Sequence, residues 1–247
     1  MTPEAYGLTD VGRRRDANED EFLVDAEVGV YAVADGMGGH AAGEIASGIA
    51  IRTLAETLRS VDWSSTRSDR AEVAERVRQA INEANLKICS SVEAREEWRG
   101  MGTTLVVLFA ADDYAVIAHV GDSRAYLLRN GQLHRLTSDH SWVNEQVKLG
   151  LLSDEDAQRH PMRNIVTRAL GNRRDVEVDL AEEPIRAGDT FLLCSDGLNT
   201  MLDDDEIREM LHTHEDHPRD ACKALVDAAN LRGGEDNTTV VILRVRG

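Results

Sequence analysis

Cysteine is scarce in this sequence, with three residues among 247, at positions 89, 194 and 222. Their number is odd and no pair has the close spacing of a zinc site, so neither a disulfide framework nor a cysteine-ligated metal is expected. Cys194 ends the apolar run Phe191 to Cys194 and reads as a small core residue, which fits a reducing cytosol. Proline is rare too, with four residues, and no Pro/Ser-rich linker or internal repeat divides the chain. Net positive charge is lacking: 28 Lys and Arg against 45 Asp and Glu leave a formal charge of −17. That excludes a non-specific nucleic-acid binder, which needs a basic surface to displace counterions, and equally disfavours an anionic membrane surface. No apolar run approaches the ~20 residues of a membrane-spanning helix. Met1-Thr2-Pro3-Glu4 has neither the basic nor the apolar region of a signal peptide, so none is expected and the cytoplasm is the expected location.

What is present is ordinary for a soluble globular chain: 42% hydrophobic and 30% charged residues. The length suffices to bury a core without staples, and a single domain over residues 1–247 is expected. Short runs rich in Val, Ile, Leu and Thr recur between turn residues: 22–24, 30–34, 104–109, 114–120, 125–128, 190–194 and 238–245. These read as strands, and Asn130-Gly131 is a hairpin signal because both residues accept positive φ. Ala42, Ile45, Ile49 and Leu54 share one helical face, as do Val73, Val77, Ala80, Ala84 and Ile88. Further helices are expected at 143–149, 205–211 and 220–231, and Ser153 before three acidic residues resembles an N-cap. The polar stretch Asp62 to Asp69 reads as a loop. Neighbouring strands joined by tight turns must be antiparallel, and strand runs separated from helix runs imply an α+β architecture with helices packed outside a sheet or sandwich.

The chemistry is carried by where acids fall. Val30 to Ala34 runs into Asp35-Gly36, Ala115 to Val120 into Gly121-Asp122, and Phe191 to Cys194 through Ser195 into Asp196-Gly197. Glu235-Asp236-Asn237 stands just before the strand 238–245. Strand ends and strand starts are neighbours in an antiparallel sheet, so these four acids could converge on one edge. Taken singly, each Asp-Gly is compatible with an ordinary turn. Taken together, clustered carboxylates repel one another unless protonated or neutralised, and a hard divalent cation with oxygen ligands resolves that repulsion. The absence of a Cys or His cluster favours Mg²⁺ or Mn²⁺ over Zn²⁺. Near the start, Arg13-Arg14-Arg15 precedes Glu19-Asp20. This is either a charged surface loop or a phosphate clamp, since an arginine fork matches phosphate oxygens. His119, inside an apolar strand, reads as a satisfied core residue.

These residues resemble the protein phosphatase 2C family of metal-dependent protein phosphatases, in its bacterial branch. Arg15-Asp16-Ala17-Asn18-Glu19-Asp20 and Asp35-Gly36-Met37-Gly38-Gly39-His40 are similar to the family's first two motifs. Gly100 to Thr104, Gly121 to Arg124, Leu136 to Ser141, His160-Pro161, Ala169 to Gly171, Ser195 to Gly197 and Glu235 to Asn237 follow in the family's order. The resemblance implies a β-sandwich of two antiparallel sheets flanked by helices, with a binuclear Mn²⁺ or Mg²⁺ centre at its edge. It implies that Asp35 bridges two metals, that the Gly36 carbonyl binds one, and that Asp196 and Asp236 hold the other. Glu19 and Asp20 would contribute through waters. Bacterial members often bind a third metal, for which Asp122 and Asp196 are the matching positions. Residues Asp139 to Leu170 would form a mobile flap.

The implied reaction is hydrolysis of phosphoserine or phosphothreonine by a metal-activated water, with Arg15 holding the phosphate. Met37 stands where animal relatives carry a histidine and cannot donate a proton to the leaving oxygen. His40 and a metal-bound water remain as candidate general acids. The expected partners are phosphorylated proteins and a Ser/Thr kinase whose action the enzyme reverses, and the expected state is a monomer. A nuclease would need a basic groove lined with aromatics. A non-catalytic phosphoprotein-binding module would have shed metal ligands, yet Asp35, Asp196 and Asp236 are all present.

Overall fold

Each long apolar run divides its side chains between two cores with the period of two that a strand imposes. In the computed structural model, which describes residues 2–38 and 42–247, Val30, Ala32 and Ala34 of one strand face helices while Tyr31 and Val33 face a second sheet. Leu105, Val107 and Phe109 divide from Val106 and Leu108 in the same way. On the other sheet, Leu192 and Cys194 meet helices while Phe191 and Leu193 point inward. Continuous apolar strands are thus needed because both faces of each sheet are covered. The layers run helix, sheet, sheet, helix, which is the α+β class expected from the pattern and the sandwich that the family resemblance implies.

The first sheet has the order β1-β11-β10-β7-β8, built from β1 (Thr2–Asp10), β11 (Thr238–Arg246), β10 (Thr190–Cys194), β7 (Arg124–Arg129) and β8 (Gln132–Arg135). The second has the order β2-β3-β5-β6-β9, from β2 (Asp20–Asp25), β3 (Val30–Met37), β5 (Leu105–Ala110), β6 (Tyr114–Val120) and β9 (Asp179–Pro184), with the two-residue β4 (Gly102–Thr103) on β3. Every pairing is antiparallel. Helices α1 (Ala42–Arg59) and α3 (Arg70–Ala94) cover the second sheet; the single-turn α6 (Asp196–Asn199) follows β10, and α7 (Asp204–Thr213) and α8 (Pro218–Leu231) cover the first. Between β8 and β9 lie α4 (Trp142–Lys148) and α5 (Asp154–Arg159); Ser153 caps α5 by accepting the Asp156 N–H. No helix among the described residues is long and apolar enough to cross a membrane.

The Asn130-Gly131 turn joins β7 to β8, with φ of 53° and 75° and Arg129 paired to Gln132. Three strands lack any apolar signature: β1, β8 and β9. All are sheet edges with polar or charged residues, the composition that keeps an edge from pairing with another chain. The stretch Asp62 to Asp69 is not wholly loop. It holds the single-turn α2 (Trp63–Thr66), capped by Asp62 and anchored where Trp63 packs on Phe109 with ring centroids 4.3 Å apart.

Leu192 is completely buried between β10 and the α7–α8 layer. Leu192→Ala should lower the unfolding free energy by about 2–5 kcal/mol, read as a shift of the urea midpoint; a loss below ~1 kcal/mol would contradict its central place in that core.

Candidate metal centre

The register of the strands explains why distant acids meet. β10 runs antiparallel to both its neighbours, with Cys194 opposite Val240 on β11 and opposite Arg124 on β7. Asp196, just beyond β10, therefore lies between Asp236, just before β11, and Asp122, just before β7. In the other sheet Asp20 opens β2 and sits directly opposite Asp35 near the end of β3. Two carboxylates in direct cross-strand register repel each other, so this pairing is costly unless something neutralises it. The two sheets are stitched together at the same place: Asp20 Oδ2 accepts hydrogen bonds from Ser195 Oγ (2.8 Å) and Thr239 Oγ1 (2.7 Å) of the opposite sheet's strands. Glycine follows Asp196 because a Cβ on residue 197 would lie 2.0 Å from the Asn237 carbonyl oxygen; that close approach keeps Asp196 and Asp236 together.

Asp20 and Asp122 are buried, while Asp35, Asp196 and Asp236 keep partial contact with solvent. The surroundings drive their protons on. Burial first, and then the neighbouring Asp20, Asp196, Asp122 and Asp236, raise Asp35 well above the usual carboxylate range. Burial and Asp196 push Asp122 to about 8. Burial lifts Asp20 to about 7 against the pull of its Thr239 and Ser195 hydrogen bonds. Burial and Asp236 bring Asp196 to about 6, although its carboxyl lies within hydrogen-bonding reach of Asp35. Glu19, part-buried, is raised by burial and held down by Arg15 and by the Gly43 N–H in the first turn of α1, where the helix dipole favours an anion.

Arg15 closes the site from the solvent side. It is half-exposed, and its Nη2 lies 2.6 Å from Asp236 Oδ2. The expected residues Asp35, Asp196, Asp236, Asp122, Asp20, Glu19, Gly36 and Arg15 are thus brought to one rim of the sandwich. Gly36 pairs with Thr103 of β4, and its N–H donates to the Glu19 carbonyl at 3.1 Å. His40 lies outside the described residues. His119 is buried, and its Nε2 meets the Ser138 carbonyl at 3.0 Å, as a satisfied core histidine should. An all-oxygen donor set with surplus negative charge fits a hard divalent cation.

Several residues that orient the acids carried little sequence signal. Thr104 Oγ1 accepts the Asp35 N–H at 3.1 Å and lies 2.6 Å from Ser123 Oγ, while Thr103 Oγ1 donates to the Asp35 carbonyl at 2.9 Å. Asn237 accepts the Glu19 N–H at 2.8 Å and donates to the Val11 and Ala17 carbonyls at 2.8 and 2.9 Å. One amide thereby fixes the whole loop that presents Arg15 and Glu19. Arg124 forks onto Asp139, with Nη2 at 2.8 Å from Oδ2 and Nε at 3.1 Å from Oδ1. Only the presence of Asn237 and Arg124 inside short motifs could have drawn attention to them; Thr239 looks like any strand residue.

Known proteins share this arrangement over nearly the whole chain. The chain is 42% identical over 238 residues to the serine/threonine phosphatase stp of Listeria monocytogenes, covering 95% of this chain and 93% of that protein. The crystal structure of the Mycobacterium tuberculosis serine/threonine phosphatase PstP/Ppp superposes with a TM-score of 0.91 at 36% identity, with both chains covered fully (100%). The PstP catalytic domain in complex with two manganese ions superposes with a TM-score of 0.87 at 36% identity, covering 99% of each chain. The sequence pattern of the family described as Protein phosphatase 2C matches residues 12–229. The chain belongs to the protein phosphatase 2C family.

Proposed function

We propose that the protein is a serine/threonine protein phosphatase that hydrolyses phosphoserine and phosphothreonine at a binuclear divalent-cation centre on the sandwich rim. The observation that carries this reading is the convergence of Asp35, Asp196 and Asp236, with Asp20 and Asp122 behind them, under a half-exposed arginine. Asp35, the Gly36 carbonyl, Asp196 and Asp236 would hold the two cations. Glu19 and Asp20 would contribute through waters, and Asp122 with Asp196 would hold a third cation. When bound, the cation pair lowers the pKa of a shared water and polarises the phosphoryl oxygens. The oxygen ligands suit either Mn²⁺ or Mg²⁺, and the two manganese ions of the PstP structure support Mn²⁺.

The chain's own groups supply the rest. Arg15 stands at the mouth, where its fork can take two phosphate oxygens and balance the charge that builds on them. Its present partner, Asp236, holds the guanidinium at the edge of the acid cluster. Thr103 and Thr104 hold the Asp35 backbone from both sides, so the carboxylate is aimed before substrate arrives. Met37 has no proton to give the leaving oxygen; His40 and a water of the site are the two sources left. The segment 139–170 is the proposed flap, within a single catalytic unit of residues 1–247. A monomer acting in the cytoplasm on phosphoproteins, and reversing a Ser/Thr kinase, is the setting this chemistry suits. A non-catalytic phosphoprotein-binding module is not favoured, because the acidic set is intact.

Release of phosphate from a phosphothreonine peptide should require Mn²⁺ or Mg²⁺, and Asp196→Asn should lower kcat/KM at least ~100-fold, since it removes part of a charge stabilisation worth several kcal/mol. Folded, metal-loaded protein that releases no phosphate would sink the catalytic reading. A second expectation concerns pH. Asp20, Asp122 and Asp196 have folded pKa values of about 7, 8 and 6, above the ~3.9 of an unfolded aspartate. Their contribution to stability is therefore full below about pH 4 and is lost as pH rises through about 6 to 8. Chelator-treated protein should melt at a higher temperature at pH 5.5 than at pH 8, and added Mg²⁺ should stabilise it more at pH 8, where the ligands are ionised. Thermal scans that find the Mg²⁺ shift larger at pH 5.5 would count against these carboxylates as the cation site.

A further inference from the structure

His140 uses every hydrogen-bonding group it has. It is buried, with 5% of its surface exposed. Its N–H donates to the Gly121 carbonyl at 3.0 Å, and its Nδ1 accepts the Gly121 N–H at 3.0 Å, so the two residues grip each other twice. Its carbonyl accepts the Thr167 N–H at 2.8 Å. Its Nε2 lies 3.3 Å from Asp179 Oδ2 on β9. A backbone N–H can only donate, so Nδ1 carries no proton and Nε2 holds the hydrogen of a neutral imidazole. Arg168 Nη1 converges on the same carboxylate, 2.6 Å from Asp179 Oδ1, and lies 3.0 Å from His140 Nε2.

The His119, His140 and Asp179 side chains come close enough to suggest a metal, but the chemistry of the cluster argues otherwise. The two imidazoles stack at 4.6 Å with planes 13° apart, so their in-plane lone pairs run parallel instead of converging on a point. His119 Nε2 is engaged with the Ser138 carbonyl, and both His140 nitrogens are taken. Arg168 already supplies the positive charge that Asp179 needs. The cluster is a junction of side chains, not a binding site.

What it joins is informative. Gly121 is the residue immediately before Asp122. Its φ of +108° and a Cβ position 2.5 Å from Thr104 Cβ leave no other residue possible there. The Gly121–Asp122 link is thus a backbone crossing from the second sheet to the first, held from one side by Thr104 and from the other by His140. Beyond His140, the Thr167 bond, the Trp142 N–H to Ile165 carbonyl bond at 2.8 Å and the Ser141–Val166 bridge zip the two ends of segment 139–170 together. On the reading of the site given above, we propose that His140 is a positioning residue for the cation centre: through Nδ1 and its backbone it sets the Gly121–Asp122 link, and through its carbonyl it couples that link to the returning end of the flap.

The two nitrogens can be tested separately. Asparagine places its side-chain oxygen near where Nδ1 lies and can still accept the Gly121 N–H, whereas glutamine places its amide N–H near Nε2 and keeps only the donor to Asp179. Mn²⁺ binding by calorimetry on the full chain should resolve the tighter pair and any weaker site. His140→Asn should leave all Mn²⁺ dissociation constants within about threefold of wild type. His140→Gln should weaken the weakest site about 10–100-fold, the range for groups that orient metal ligands, and should raise the Mn²⁺ half-saturation of peptide hydrolysis by the same factor with KM for peptide little changed. A purely structural role would lower the melting temperature of both variants and leave the metal constants alone, and that result would overturn the proposal; so would equal weakening by Asn and Gln. Should the Gln variant fail to fold, ¹⁵N-histidine spectra of the wild type decide: the His140 Nδ1 resonance, identified by its loss in the Asn variant, should shift as Mg²⁺ fills the weakest site, and an unmoved resonance would refute the coupling. Wild-type protein that binds no Mn²⁺ or Mg²⁺ would bring down the cation centre itself, a failure distinct from intact binding that ignores His140.

Discussion

Mutual repulsion among carboxylates at one rim of the sandwich is the constraint around which the rest of the molecule is arranged. Asp20 and Asp35 face each other in direct register, and Asp196 lies between Asp236 and Asp122. Nothing in sheet packing favours such a grouping; burial and like charge both oppose ionisation there. A protein tolerates this only where the acids serve a cation and where each is held so that it cannot turn away. The supporting contacts fit that demand. Ser195 and Thr239 bond Asp20 across the two sheets, Thr103 and Thr104 hold the Asp35 backbone, and Asn237 holds the loop of Arg15 and Glu19.

The sandwich is well suited to this task because its strands alternate in direction. Every second strand end at a rim is a C-terminus beside the N-terminus of its neighbour, so loops from far apart in the sequence gather there. The covered faces make the strands rigid: β3, β5 and β10 are apolar on both sides and are clasped between helices and the opposite sheet. Rigid strands with short exits can hold carboxylates to the tolerances a metal requires. The segment between β8 and β9 differs in kind. Its helices are short, and Leu149 and Leu151 stand exposed, yet its root is fixed by Arg124 on Asp139, by His140 on Gly121 and by Arg168 on Asp179.

Much of this was legible in the residues alone, and the reason differs from element to element. The central strands were readable because both their faces are buried, which forces unbroken apolar runs. The edge strands β1, β8 and β9 were not, because their polar residues satisfy a partner on one side and water on the other. The Asn130-Gly131 turn was readable because its positive φ angles admit few residues. The single turn α2 was hidden, since Asp62 capping and Trp63 packing act through contacts outside its own four residues. His119 read correctly as a satisfied core residue, but its stacking on His140, twenty-one residues along, had no trace in local pattern.

By itself the sequence determined the chemical inventory: acids at strand ends, an arginine before an acidic pair, no thiol or imidazole ligand set, and motifs in an order that resembles one family. Those follow from local composition and spacing, which the chain carries whatever its fold. Tertiary structure alone decided which acid faces which, because strand register sets Asp20 opposite Asp35 and slots Asp196 between Asp236 and Asp122. It alone decided how far each carboxyl is pushed from its ordinary pKa, since burial and neighbouring charge exist only once the sheets have met. It alone decided that His140 touches Gly121, because a hydrogen bond between residues nineteen apart depends on where two loops cross, and no local property of either loop records that crossing.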